Sequence, residues 1–138
     1  MTTIALISCV KSKRQVPCAA KDLYISTLFQ GMRRYAERHA DDWYILSAEH
    51  GLLHKEQVVA PYEKTLNKMR KLERRAWADR VIDQLGTNLP EHADILMLAG
   101  ERYRDGLMSW LSARGHHIRV PMEGLPMGKQ VQWLQGSM

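Results

Sequence analysis

Ile4 to Val10 reads IALISCV, an almost unbroken apolar run. A strand with one wet face alternates apolar and polar residues; a strand buried on both faces does not. This stretch therefore reads as an inner strand of a sheet covered on both sides. Ala93 to Ala99, ADILMLA, has the same character and ends at Gly100. Trp43 to Ala48, WYILSA, is another such strand, and His117 to Pro121, HIRVP, a shorter one.

Amphipathic stretches separate these runs. Leu23 to Ala40 predicts a helix with Leu23, Leu28, Met32, Tyr35 and Ala36 on one side and Asp22 as its cap. Lys71 to Leu85 predicts a helix burying Leu72, Ala76, Val81 and Leu85, stopped by Gly86. Glu101 to Arg114 predicts one that buries Tyr103, Leu107, Trp110 and Leu111 and closes at Gly115. A final turn or helix spans Gly128 to Leu134. Strands alternating with helices imply an α/β fold of three layers, a mostly parallel four-stranded sheet with helices on both faces. In such sheets ligands bind beyond the carboxyl ends of the strands. Four segments then converge there: Cys9 to Tyr24, Ser47 to Leu53, Gly100 to Tyr103 and Pro121 to Gly128.

A chain of 138 residues, 45% hydrophobic and 25% charged, suits one domain with one core. No apolar run approaches the ~20 residues that cross a bilayer. The first strand lacks the basic flank and cleavage site of a signal peptide. With two cysteines, the chain reads as cytoplasmic with reduced thiols and no membrane partner. The net charge of +5 is unevenly spread: Cys9 to Arg38 and Lys64 to Arg80 each carry seven Lys/Arg against two acids. Clustered basicity suits a surface that meets phosphates, although two solvated helix faces would look the same.

The Cys9 to Tyr24 loop holds Lys11, Lys13 and Lys21 between a strand and a helix start, where phosphates or carboxylates bind. It lacks the glycines of a Walker loop. Cys9 ends the buried strand, either packed or lining the ligand site. Cys18, three residues before Lys21, is a candidate nucleophile or a structural thiol. The cysteines and histidines lack zinc-site spacing, so no metal and no cofactor is expected. In LSAEHGLLHKEQVVAPYEKTL, Leu46 to Leu66, Ser47, Glu49 and His50 stand at a strand end before Gly51. Glu49 and His50 form a candidate general acid/base pair; otherwise Ser47 caps a turn and Gly51 supplies a positive φ. Tyr62 either stacks on a base or packs. Gly100 lets a ligand approach the strand end, with Tyr103 beside it. Glu123 is a further carboxylate, solvated by default.

Leu46 to Leu66 resembles the LSxxxGLLxPxxxIxPYxxxL segment of the YaaA family of peroxide-stress proteins, with Lys55 where that family usually has proline. Leu98 to Tyr103, followed by Leu107, resembles the same family's strand-to-helix turn. The whole chain is similar to small YaaA-like domains of phages and bacteria, on Ser8 to Lys13, Pro17 to Ser26 and Gly124 to Leu134. Pro17, Cys18, Lys21, Tyr24 and Ser26 also resemble a motif of archaeosine synthase, with Phe29 near the place of its final histidine. These resemblances imply a uracil-DNA-glycosylase-like fold and a nucleic acid or nucleobase as ligand, with Tyr24 and Ser26 among the contacts. The expected function is a DNA glycosylase-like or base-modifying enzyme. The alternatives are a noncatalytic DNA-binding protein of oxidative stress and an enzyme acting on free nucleotides.

Overall fold

In a computed structural model the chain folds around one continuous hydrophobic core. The structure describes residues 1–8 and 13–137. Cys9 and Lys11, both expected at the ligand site, lie outside the described residues. The elements in order are β1 (Thr3–Ser8), β2 (Cys18–Ala19), α1 (Ala20–Leu23), α2 (Thr27–His39), β3 (Asp42–Ser47), β4 (Gly51–His54) and β5 (Val58–Val59). A 3-10 turn at Leu66–Lys68 precedes α3 (Lys71–Asn88), β6 (Asp94–Leu98), α4 (Glu101–Ala113), β7 (His117–Arg119) and α5 (Met127–Gly136).

The fold is α/β, and its main sheet has five strands in the order β4-β3-β1-β6-β7. β1 pairs in parallel with β3 and β6, and β6 with β7; β4 runs antiparallel to β3. The expected four strands are therefore one too few. Gly51 to Leu53, expected as loop, folds back as β4 with Leu46 opposite Leu52 and Ser47 opposite Gly51. Four residues give too short a pattern to distinguish a strand from a turn in sequence. β2 and β5 form a separate two-stranded ladder in which Cys18 faces Val59.

Burial explains the central strands. Ala5, Leu6 and Ile7 of β1 and Ile95, Leu96 and Met97 of β6 are all fully buried, as unbroken apolar runs require. From β1 the chain steps through α2 to β3 on one side, and later from β6 through α4 to β7 on the other. Right-handed crossovers in opposite directions put α2 and α4 on opposite faces. α5 packs on α2, and α3 packs on α4, completing the two outer layers.

Three helix expectations change. The predicted Leu23 to Ala40 helix is two helices broken at Tyr24 to Ser26, where the fully buried Tyr24 anchors the chain. Ser26, not Asp22, caps the longer one, accepting from the Phe29 N–H at 3.1 Å. Asp22 instead takes a hydrogen bond from Arg33 at 3.0 Å. On α3 the buried residues are Trp77, Ala78, Val81 and Leu85, whereas Leu72 is 81% exposed and Ala76 is exposed. The first turn of α3 thus projects beyond the core, and the helix continues past Gly86 to Asn88. The parallel strands bring Ser8, Ser47 and Leu98 to one edge. β1 and β6 are neighbours whose following helices lie on opposite faces, which makes their carboxyl ends the switch point of the sheet.

Candidate functional site

β3 ends at Ser47, whose side chain is fully buried. A buried hydroxyl needs partners, and Ser47 Oγ has two: it donates to the Tyr62 hydroxyl at 2.7 Å and accepts from the His50 N–H at 3.1 Å. The second contact closes the turn Ala48 to His50 that leads into β4. Gly51 completes the reversal at φ +71°, a left-handed conformation that a side chain disfavours. The expected turn roles of Ser47 and Gly51 are both present.

The turn is also held from α3. Trp77 Nε1 donates to the Ser47 carbonyl at 2.8 Å, Arg80 to the Glu49 carbonyl at 3.0 Å, and Gln84 to the His50 carbonyl at 3.3 Å. Gln84 Oε1 accepts from the Leu52 N–H at 2.8 Å. Trp77, Arg80 and Gln84 follow the helical repeat of one face of α3. That repeat was legible in sequence, but its partners, the backbone carbonyls of Ser47, Glu49 and His50, were not. The effect is to fix the backbone beneath Glu49 and His50 while the Glu49 side chain stays exposed.

Tyr62 gathers the rest of the cluster. Its hydroxyl hydrogen-bonds that of Tyr24 at 2.5 Å, and the two rings meet edge to face at 6.4 Å. The His50 ring lies edge-on to Tyr62 at 5.5 Å. Lys13 Nζ sits 4.5 Å from the centre of the Tyr62 ring and 5.8 Å from that of Tyr24, a cation held on two aromatic rings. Lys13 also forms an isolated bridge with Tyr24, which holds its backbone beside the cluster. Behind it, the buried Tyr103 meets Trp77 edge to face at 5.6 Å.

The remaining expected residues are elsewhere or structural. Lys21 pairs with Glu56, and its backbone N–H bonds the Lys55 carbonyl. It lines a 310 Å³ cleft with Trp43, Asp41 and Lys55, near the amino end of β3. Lys21 therefore does not join the carboxyl edge, because antiparallel β4 carries its neighbours to the opposite end. Cys18 is half-buried in the β2–β5 ladder and packs against the core. Ser26 serves as a helix cap. Gly100 begins α4 at the end of β6, and a Cβ there would meet no atom within 4 Å. The neighbouring Arg104 donates to the Ala99 carbonyl at 2.9 Å and reaches Glu123 at 3.8 Å.

A second concavity adjoins this edge. Lys71, Arg74 and Arg75 of α3 face Glu101, Arg102 and Asp105 of α4 across a 570 Å³ groove. Both helices begin at the carboxyl edge, so the groove opens beside the cluster.

Residues 4–136 match the profile of a family of unknown function, DUF6884. The chain is similar to the uncharacterized protein YfjM of Bacillus subtilis (strain 168), 29% identical over 130 residues that cover 88% of this chain and 85% of that one. No solved structure matches. These matches overturn the expected YaaA-like membership, since the profile spanning nearly the whole chain is another family's. The motif that suggested it encodes a strand, a tight turn, a return strand and an extended Pro-Tyr segment, a local pattern that unrelated α/β chains can share. No helix among the described residues is long and apolar enough to cross a membrane.

Proposed function

We propose, for a chain that belongs to the DUF6884 family and inherits no reaction from it, that the protein acts on nucleic acid in the cytoplasm. Its site is the carboxyl edge of the sheet. The carrying observation is the contiguous cluster of Lys13, Tyr62, Tyr24, Ser47 and His50, a cation, aromatic rings, hydroxyls and an imidazole at a strand end. Lys13 suits a phosphate, the partly exposed Tyr62 ring suits a base face while the buried Tyr24 supports it from behind, and His50 with Glu49 suits proton transfer at a base or glycosidic bond. α/β sheets place their ligands at this edge, which supports it as the site, and the reaction we read there is glycosylase-like or base-modifying. Cleaving an N-glycosidic bond needs a placed water and stabilisation of a cationic sugar, and an exposed carboxylate on a rigid turn is suited to both. A target inside a duplex would first have to be flipped out.

The test is incubation with oligonucleotides carrying uracil, deaminated, alkylated and oxidised bases, reading base release and abasic sites. His50→Ala and Glu49→Gln are expected to abolish turnover while retaining binding. Binding without product across that panel would favour the noncatalytic reading, for which the basic first turn of α3 is the supporting observation. Failure to bind any single or double strand would remove the nucleic-acid reading itself.

A further inference from the structure

The groove between α3 and α4 has an unusual floor. A Cβ on Gly106 would lie 2.6 Å from the Cβ of Ala78, so the two helices touch where neither has room for a larger side chain. Close approach at this point leaves the flanking turns as walls. The α3 wall is cationic, with Lys71, Arg74 and Arg75; the α4 wall carries Glu101 and Asp105 with Arg102 between them, and Asp79 lies one turn further along α3.

None of the four cations forms an ion pair among the described residues. Arg74 spends one nitrogen on the Met69 carbonyl at 2.9 Å. Opposite charges facing each other across an open groove without pairing leave both walls available to a ligand that carries an anion and hydrogen-bond donors together. A nucleotide chain is such a ligand: its phosphates suit the α3 wall, and its sugar hydroxyls and base amino groups suit carboxylate acceptors on the other. The carboxylates also repel phosphate, which would hold the backbone to the α3 side. A volume of 570 Å³ lies within the range of about 300–1,000 Å³ of small-ligand sites, enough for a short single-stranded segment and too little for a duplex.

We propose that this groove seats the backbone of a single nucleic-acid strand whose neighbouring nucleotide occupies the Lys13–Tyr62–His50 cluster. The proposal rests on the nucleic-acid reading above. Trp77 joins the two places physically: it holds Ser47, and the next residue, Ala78, forms the groove floor. The strand path therefore runs from α3 and α4 onto the end of β3.

The experiment measures binding of the full chain to a labelled single-stranded oligonucleotide of about 15 nucleotides as a function of salt. The Lys71→Glu/Arg75→Glu variant is expected to weaken binding about 10-fold or more and to flatten the slope of log affinity against log salt by about 1–1.5. Both side chains are exposed, so thermal melting should be unchanged. Arg102→Gln, on the other helix, should weaken binding about 2–5-fold and guards against misfolding of the double variant. The control is Arg114→Glu/Lys129→Glu, an equal change in charge at exposed positions outside the groove. Wild-type protein that binds, with groove variants that bind as tightly, overturns the groove and spares the functional reading. A control that loses as much as the groove variant also overturns the groove. No binding by wild-type protein removes both.

Discussion

The two edges of the sheet treat charge differently. At the amino edge, charged groups are matched. Asp94, the first residue of β6, takes hydrogen bonds from Arg119 at 2.8 and 3.3 Å and lies 3.2 Å from His117. Lys55 meets Asp42 at 3.0 Å, Lys21 meets Glu56, and the Thr3 N–H bonds Asp41 at 2.8 Å. The buried His116 accepts from the Ala93 N–H at 2.9 Å. At the carboxyl edge the close contacts are hydroxyl to hydroxyl, ring to ring and cation to ring, and the groove cations have no carboxylate partner among the described residues. Paired charges close the amino edge; at the carboxyl edge hydroxyls and rings meet one another and the groove cations keep no carboxylate partner among the described residues.

Five substitutions, two of them read against pH, would break or sharpen that contrast. The largest effect is expected from His50→Ala, which should cut turnover by about 10²–10⁴-fold, the range for losing an acid/base group. Retained binding by the same variant would separate chemistry from affinity; an unchanged rate would remove His50 from the reaction. Next comes Gly51→Ala. Its Cβ would fall 2.3 Å from Gln84 Oε1, in a left-handed backbone. A loss of roughly 2 kcal/mol, seen as a Tm lower by about 5–10 °C, is expected. An unshifted Tm would mean that the α3 clamp on the turn is slack.

Ser47→Ala should cost about 1–2 kcal/mol, since it strips a buried hydroxyl from both Tyr62 and the His50 N–H. Urea unfolding reads this directly; a neutral result would show that the cluster does not depend on the strand end. The smallest effects belong to the amino edge and to pH. Burial holds the His116 imidazole below its ordinary 6.5. The unfolded chain then binds the proton more readily, so stability is full above about pH 6.5 and falls as pH drops below it. Burial pushes Asp94 up, but the bonds from Arg119 and His117 outweigh it and hold the carboxyl below its ordinary 3.8. Its contribution is lost only as pH falls below about 3.8. His116→Asn should flatten the upper limb, and Asp94→Asn the lower. A melting series over pH that is flat in the wild type would contradict both assignments.

Much of the architecture was legible because burial leaves a simple signature. Ile4 to Ile7 and Ile95 to Leu98 are unbroken apolar runs, and both lie in central parallel strands. β4 was not legible: Gly51 to His54 is too short to show a period, and its antiparallel return depends on a turn held by distant Trp77, Arg80 and Gln84. The helix break at Tyr24 was hidden for a related reason, since a tyrosine at that spacing fits a helix until its hydroxyl must reach Tyr62. For the site, strand-end position picked out Ser47 and His50. Proximity in sequence wrongly grouped Lys21 with Lys13, because the loop between them crosses toward the opposite edge.

The contrast between the edges has one direct test. A short single strand added to ¹⁵N-labelled protein should shift backbone amides of Lys13, Ser47, His50 and Tyr62 and of Lys71 to Arg75, leaving Asp94 and His116 to Arg119 unmoved. Shifts confined to the amino edge, or no shifts at millimolar strand, would contradict the account.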